Sequence, residues 1–407
     1  MTAATASPGA DPLLKLRSEF PVLEQSVYMV SHSLGAMPRA AEAAMAEFGT
    51  LWRERSITAW EPWLAEVDLA AARLGRIFGA PAGSVIMLPN VSTVMAVLAS
   101  CLDYSGKRNR VVYSEMEFPS VSYVWQAEAR RGADVVVVPA QDGGRRADAA
   151  ALCAAIDERT MIVPLSQVMF RYSYIPDVAA IVRRAHEVGA LVVLDMYQSV
   201  GVLPVDVTAL GVDFACGGSV KWLCGGPGAG YLYVRPDHLT EFAPRVTGWF
   251  GHHHPFAFSM PAQEYAANMW RYLGGTPVIA AMYQARAGAE IVGALPAAAI
   301  RAKSLRQTQR VIDRVEREGF TLNSPRDEVH RGGTVVFDFA GADKVAAALN
   351  QAKFYCDHRP GAGIRMSPHF YTSDGECDSF MDEVVRLRDS GAGASAAGAG
   401  SYGGSAP

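Results

Sequence analysis

The chain lacks the features that would place it in several specialised classes of protein. It has no long basic run and its formal net charge is only −4, so nucleic acid and membrane surfaces are not expected as partners. No apolar stretch is long enough to span a membrane, and residues 1–20 lack the apolar core of a secretory signal. Its six cysteines form no CxxC pair, which indicates reduced thiols. These absences predict a soluble, cytoplasmic protein.

The length and composition predict a globular protein of two domains. Of the 407 residues, half are hydrophobic and 19% are charged, which is enough apolar surface for a large core. The last residues are almost all Gly, Ala and Ser and cannot offset their own ordering entropy. We expect a flexible leader at 1–11, an N-terminal arm associated with the small domain at 12–40, a large domain at 41–275, a linking helix and small C-terminal domain at 276–388, and a disordered tail at 389–407.

Short β-rich runs alternate with helical patterns between Ser84 and Val234. This alternation predicts an α/β fold in which helices cover a mainly parallel sheet. A long helical region from Pro277 to Arg317 is followed by a shorter mixture of strands and helices, which predicts a smaller α+β domain. Ligands of such sheets bind beyond the carboxyl ends of the strands. Four segments lie there and are expected to share one pocket: Asn90–Ser92, Glu117–Ser120, Asp195–Gln198 and Ser219–Lys221.

The pair of Lys221 and Asp195 carries the chemical prediction. Lys221 lies just past one apolar strand, and Asp195 closes another. A lysine amine in this place suits a Schiff base with the aldehyde of pyridoxal phosphate, and an aspartate would keep the pyridine nitrogen protonated. The protonated ring would then stabilise a carbanion at the Cα of a substrate. Either residue alone is more often a solvated side chain at a strand end.

Other residues of the same segments suit the cofactor. Val91 and Ser92 lie between a strand and a helix, where backbone amides bind phosphate well, although an ordinary helix cap is the alternative. Phe118 could stack on the pyridine ring, with core packing as its alternative. Gln198 could hydrogen-bond the phenolic oxygen, and Ser219 could reach the phosphate.

One further residue is a candidate for binding the substrate, and three other features that resemble functional sites are disfavoured. Arg365 interrupts an apolar strand, where a guanidinium could grip an amino-acid carboxylate, with an ion pair as the alternative. The adjacent rings of His252–His254 point in different directions, so no metal is expected. The glycine-rich stretch 225–230 precedes a strand rather than a helix, which disfavours dinucleotide binding. Cys356 fits a strand residue better than a nucleophile.

Several stretches in order resemble the class V aminotransferase family of pyridoxal phosphate enzymes, and kynureninase more closely than its other members. The likeness runs over about residues 20–387. Its markers include Ser31-His32-Ser33-Leu34-Gly35, Glu117-Phe118-Pro119-Ser120, Gly248-Trp249-Phe250-Gly251-His252, Gly275-Thr276-Pro277 and Arg331-Gly332-Gly333-Thr334-Val335. The resemblance implies a fold-type I enzyme that acts on an amino acid as a homodimer, with active sites at the subunit interface.

The resemblance also implies roles for individual residues. By position, Lys221 would be the Schiff-base lysine and Asp195 the partner of the pyridinium nitrogen. Arg365 would bind the substrate carboxylate. Thr276 would reach the cofactor phosphate of the neighbouring subunit, and Trp249 would line the pocket near the phosphate.

Departures from kynureninase leave the reaction open. Val220 replaces a tyrosine that ligates the phosphate, Gln198 replaces a histidine, and Val121 and Val91 replace polar residues. The leading prediction is a hydrolase or lyase that cleaves a bond at the β-carbon through a Cα carbanion. A class V aminotransferase is the alternative, and a cofactor-binding subunit without turnover is a third. Cysteine desulfurase is disfavoured because the loop 359–363 contains no cysteine.

Overall fold

The structure, a computed structural model, describes residues 11–258, 260 and 263–391. Residues 1–10 of the predicted leader and 392–407 of the predicted tail lie outside this part of the chain. Across the described residues, every helix is too short or too polar to cross a bilayer. The predicted domain boundaries stay predictions.

A seven-stranded sheet organises the larger part of the protein. Numbered along the described residues, the strands of all the sheets are β1 (Val27–Tyr28), β2 (Val85–Leu88), β3 (Arg110–Ser114), β4 (Asp134–Val138), β5 (Thr160–Ser166), β6 (Leu191–Asp195), β7 (Phe214–Gly218), β8 (Gly230–Val234), β9 (Thr321–Leu322), β10 (Val335–Asp338), β11 (Phe354–Tyr355), β12 (Asp357–Arg359) and β13 (Gly363–Met366). The large sheet has the order β2-β8-β7-β6-β5-β3-β4. Strand β8 runs antiparallel to both its neighbours, and the other pairs are parallel. The predicted mainly parallel sheet is confirmed.

Helices cover the sheet on both faces. The α-helices of the described residues are α1 (Arg39–Arg55), α2 (Trp60–Ile77), α3 (Val91–Cys101), α4 (Pro119–Ala127), α5 (Ala149–Ala155), α6 (Val178–Glu187), α7 (Val207–Leu210), α8 (Ile279–Gly293), α9 (Ala297–Arg317), α10 (Ala342–Gln351) and α11 (Asp374–Asp389). Every residue of β2, β7 and β8 is buried, so these strands have packed neighbours above and below. Short 3-10 helices occupy Pro12–Glu19, Pro21–Glu24, Ser56–Ala59, Glu128–Arg131, Pro236–His238, Trp249–Gly251, Pro255–Ala257 and Met269–Tyr272.

Local sequence signals set several helix ends. The side chain of Asp177 accepts a hydrogen bond from the Ala180 amide at the start of α6. At the start of α11, Ser373 and Glu376 form a reciprocal capping box. The single helical region predicted from Pro277 to Arg317 is instead two helices, because Pro296 stands at the N-cap of α9 and has no N–H with which to continue α8.

A smaller antiparallel sheet, in the order β12-β13-β10-β9, packs against α9, α10 and α11 around its own core. The N-terminal segment joins this part of the molecule, since β1 pairs in parallel with β11. Arg17 adds an ion pair to Glu376 at 2.7 Å. Residues 11–40 therefore connect the two sheets, and they bring His32 towards the carboxyl edge of the larger one.

Candidate active site

A pocket of about 230 Å³ opens at the carboxyl edge of the large sheet. It is lined by Asn90, Val91, Ser92, Phe118, Ser120, Ser166, Val168, Phe170, Asp195, Tyr197, Gln198 and Lys221. All four segments that were expected to converge contribute to this lining. The register of the sheet explains the convergence, because β5 and β6 end side by side with Ser166 opposite Asp195.

Lys221 stands at the centre of the pocket. Its amine lies 4.4 Å from the ring centroid of Tyr197 and 5.7 Å from that of Phe118. Burial lowers the pKa of Lys221 to about 8, against the opposing pull of the Asp195 carboxylate. Such an amine is largely protonated at neutral pH yet loses its proton easily, as a residue that exchanges protons with a substrate requires.

The loop that carries Lys221 is fixed by the N-terminal segment. The amide of Gly35 donates to the carbonyl of Val220 at 2.8 Å. A Cβ atom at position 35 would overlap the carbonyl of Lys221, so only glycine allows this approach. The motif near the start of the sequence therefore acts as a support for the lysine loop.

Asp195 is buried at the end of β6 and accepts a hydrogen bond from the Tyr197 amide at 2.8 Å. Burial raises its pKa, whereas the Tyr197 amide and the Lys221 charge lower it. Its neighbour Gln198 lies in a turn rather than a helix, and both ends of its amide are held. Its nitrogen donates to the His32 carbonyl at 3.0 Å, and its oxygen accepts from the indole of Trp222 at 3.0 Å. One N–H of the Gln198 amide is left for a ligand.

The N-terminus of α3 offers an anion site on another side of the pocket. Asn90 caps the helix, since its side chain accepts from the Thr93 amide at 2.9 Å. The amides of Val91 and Ser92 occupy the first turn, where helix N–H groups have no partner inside the helix. Capping and phosphate binding were treated as alternatives, but the side chain of Asn90 performs the first and leaves these amides for the second.

Arg365 is buried on β13 and held on two sides. Its Nε and Nη2 donate to the Asp357 carboxylate at 2.7 and 2.5 Å, and its Nη1 donates to the Phe170 carbonyl at 2.9 Å. Three of five guanidinium N–H groups are thus engaged, which leaves one on each terminal nitrogen. The Phe170 contact places Arg365 at the edge of the pocket.

Besides Arg365, which reaches the pocket only through its contact with Phe170, three predicted site residues do not line the pocket in this chain. The Ser219 hydroxyl donates to the Gly226 carbonyl at 3.0 Å. Trp249 is 38% exposed and stacks with Phe258, and Thr276 is exposed. Their roles towards the cofactor remain predictions.

Sequence reasoning missed several residues of the pocket. Phe170 and Ser166 line it, but no motif marks them, and Tyr197 lies in the expected segment 195–198 without having been given a role. Ser166 donates to buried Glu117 from its amide at 3.0 Å and from its hydroxyl. Burial raises the pKa of Glu117 to about 8, although the Ser166 hydrogen bonds oppose the rise. Ser166 could have been predicted from its position, because it ends a strand at the carboxyl edge of the sheet as Asp195 does, and ligands bind at that edge.

Within the described residues, no group of three or more His, Cys, Asp or Glu side chains could hold a metal ion. The pocket does fit pyridoxal phosphate. It offers an amine, a buried carboxylate, one free amide N–H from Gln198 and the N-terminus of a helix, which match an aldehyde, a pyridine nitrogen, a phenolic oxygen and a phosphate.

Comparison with known proteins agrees with this chemistry. Residues 63–368 match the family described as aminotransferase class-V. Kynureninase of Pseudomonas fluorescens is 31% identical over 366 residues, which cover 86% of this chain and 86% of that protein. The uncharacterized aminotransferase YcbU of Bacillus subtilis (strain 168) is 28% identical over 376 residues, covering 91% of this chain and 96% of that protein.

Solved structures confirm the predicted fold. A cysteine desulfurase from Thermococcus onnurineus NA1 superposes with a TM-score of 0.82 at 20% identity, over 96% of this chain and 100% of that one. The cystine C-S lyase C-DES, in complex with cysteine persulfide, gives 0.81 at 20% identity, over 90% and 98%. At this identity the likeness concerns the fold, which is fold type I, and the family match establishes the cofactor, pyridoxal phosphate. This chain therefore belongs to the class V aminotransferase family of pyridoxal-phosphate-dependent enzymes.

Proposed function

We propose that this enzyme acts on an α-amino acid and cleaves a bond at its β-carbon, in the manner of kynureninase. One observation carries the proposal: the amine of Lys221 lies in a pocket between Asp195 and an aromatic wall, with Arg365 at the edge. Relatives named kynureninase that are 31% identical over most of the chain support the same reaction.

The residues of the chain divide the work by position. When bound, pyridoxal phosphate supplies an electron-poor ring that stabilises negative charge at Cα. Asp195 holds the proton on the pyridine nitrogen, because a buried carboxylate favours a nearby positive charge. Lys221 takes the Cα proton with its amine, and Arg365 fixes the substrate carboxylate with its two free N–H groups.

The walls of the pocket suit an aromatic side chain. Phe118 and Phe170 meet edge to face with ring centroids 5.0 Å apart, and Tyr197 lies across the Lys221 amine. A substrate ring would find apolar faces here at little cost in desolvation. Cleavage of the Cβ–Cγ bond with water would leave a carboxylate at Cγ and a proton at Cβ.

Amine transfer to a keto acid is the second candidate. Val220 supplies no phenol beside the lysine, and the Gln198 amide stands where kynureninase carries histidine. These two positions favour a class V aminotransferase, and the relative from Bacillus subtilis is named an uncharacterized aminotransferase.

We also propose that the enzyme is a homodimer in which Thr276 and Trp249 face the partner's pocket. Thr276 is exposed, and Trp249 belongs to an apolar surface with Phe256 at 55% and Phe258 at 68% exposure. Exposed aromatic residues in contact with one another are typical of a protein interface.

Adding L-kynurenine to the purified, cofactor-loaded enzyme separates the two reactions. We expect sustained release of anthranilate while the cofactor spectrum returns to its starting form after each turnover. If anthranilate is absent and the cofactor converts once to its amine form, the enzyme is an aminotransferase and the cleavage proposal is wrong. A panel of other amino acids under the same conditions would then identify the amine donor.

Replacing Arg365 with lysine should weaken amino-acid binding far more than it slows turnover. Lysine keeps the positive charge but loses the planar fork, so KM should rise on the order of 10- to 100-fold, the cost of a charge-assisted hydrogen bond. Steady-state kinetics at saturating cofactor measure the effect. Arg130→Lys, at an exposed position, is the matched control. An unchanged KM in Arg365→Lys would remove Arg365 from the substrate site.

A further inference from the structure

The arginine at the edge of the pocket belongs to a small charged cluster. The carboxylate of Asp357 contacts Arg365 on one side, Arg359 at 3.0 Å and the imidazole of His32 at 3.0 Å. The hairpin of β12 and β13 creates this cluster, because its register sets Asp357 opposite Arg365. One carboxylate is therefore shared by two guanidinium groups.

The charges of this cluster do not favour the binding of a substrate carboxylate by Arg365 without a further positive group. Burial is the largest influence on His32 and lowers its pKa to about 4, so this imidazole is neutral at pH 7. Burial alone would raise the pKa of Asp357, but the charge of Arg365 and the hydrogen bonds from Arg365 and His32 hold it far below its ordinary value, so Asp357 is ionised. The charges of Arg365 and Asp357 then cancel. A carboxylate that approaches from a distance is repelled by Asp357 as strongly as it is attracted by Arg365.

Arg359 supplies the missing positive charge. Its guanidinium contacts Asp357 through Nη2, and its side chain is 38% exposed, so its remaining N–H groups can turn to a ligand. Asp357 joins it to Arg365, and its charge acts on the pKa of the Lys221 amine in the same direction as the charge of Arg365. Together the three groups carry a net charge of +1, the complement of one carboxylate.

We infer that Arg359 is a second ligand for the substrate carboxylate and that Asp357 is a positioning residue, which orients Arg365. This inference rests on the proposed function, because it assigns a role at the amino-acid site. The substrate carboxylate would lie between the free ends of two guanidinium groups, with Asp357 behind them as the common anchor. The site would thereby distinguish amino acids from amines that lack a carboxylate.

A set of charge-balanced variants tests the inference. Arg359→Gln reduces the net charge of the cluster to zero, and the double variant Asp357→Asn with Arg359→Gln restores +1. Arg171→Gln is the matched control, because Arg171 lies over the outer ring Phe170, 5.9 Å from its centroid, but contacts no member of the cluster. The measurement is the concentration of L-kynurenine, and separately of L-alanine, that half-saturates the change in the cofactor spectrum of the loaded enzyme.

We expect Arg359→Gln to raise the half-saturating concentration on the order of 10- to 100-fold, the cost of one charge-assisted hydrogen bond. The double variant should recover part of this loss, and Arg171→Gln should bind as the unchanged enzyme does. Binding by Arg359→Gln equal to that of Arg171→Gln would overturn the inference. So would a double variant that binds no better than Arg359→Gln although its thermal unfolding is unchanged.

A second measurement needs neither substrate nor turnover. In the cofactor-free protein, the rate at which trinitrobenzenesulfonate labels Lys221 rises with pH, because only the neutral amine reacts, and mass spectrometry of the peptide gives the midpoint. Arg359→Gln should move this midpoint upwards from about 8, and the added Asp357→Asn change should move it back. An unmoved midpoint would contradict the placement of Arg359 beside the pocket. If the midpoint shifts but the protein binds neither amino acid, the proposed function is wrong, and so is the role of Arg359 as a carboxylate ligand. The position of Arg359 beside the pocket would still stand.

Discussion

Replacing Lys221 with alanine should abolish turnover, with a loss on the order of 10⁴-fold or more, because the variant lacks both the covalent anchor and the base. The pocket provides no substitute amine, since Lys221 is the one lysine in its lining. Borohydride reduction of the loaded enzyme, followed by peptide mass spectrometry, should place the cofactor on Lys221. In Lys221→Ala, borohydride should not link the cofactor to the protein, so the cofactor should be released when the protein is denatured.

The control for this prediction is Lys107→Ala, at an exposed position away from the pocket. It should keep full activity and the reducible cofactor linkage. Turnover by Lys221→Ala within tenfold of the unchanged enzyme would contradict the assigned mechanism. Cofactor found on another lysine after reduction would contradict the assignment of the residue itself.

Replacing Asp195 with asparagine should leave the shape of the pocket intact and slow the chemistry. The side-chain oxygen of asparagine can accept the hydrogen bond from the Tyr197 amide at the end of β6, as the carboxylate does. It carries no charge, however, and so cannot hold a proton on the pyridine nitrogen. We expect kcat to fall by about two to four orders of magnitude, the range that a well-placed proton contributes.

Two readouts separate this effect from simple damage to the site. Equilibrium binding of pyridoxal phosphate to Asp195→Asn should weaken less than kcat falls, because the phosphate and lysine contacts remain. Asp343→Asn, an exposed change on α10, controls for the loss of a carboxylate. Retention of full kcat in Asp195→Asn would show that the ring needs no carboxylate partner in this enzyme.

The alternation of strands and helices made the fold predictable. Between Ser84 and Val234 the structure shows the predicted alternation, because elements such as β4 and α6 have a clear periodic pattern with turn or capping residues beside them. The two-residue strands β1, β9 and β11 are too short for any period to appear in the sequence. They form because neighbouring chain segments offer backbone partners, as β11 does for β1.

The candidate site was predictable to the extent that strand ends mark it. Lys221, Asp195, Gln198 and the start of α3 all follow strands, and the parallel sheet brings such positions together. Phe170 lines the pocket because of the path of a loop, which no local sequence pattern describes. The orientation of the Gln198 amide likewise depends on Trp222, a partner that the sequence does not identify.

The sequence by itself determined the fold class, through its alternating periodicity, and the cofactor, through the family to which the chain belongs. It also predicts Lys221 as the reactive lysine. Only the tertiary structure decided how the substrate arginine is held. The sequence left two roles open for Arg365, a ligand for a carboxylate or a partner in an ion pair; folding pairs it with Asp357 and brings Arg359 and His32 to the same carboxylate. The reason is physical: a guanidinium buried at a pocket edge needs a nearby carboxylate, and the pairing register of two strands selects which one.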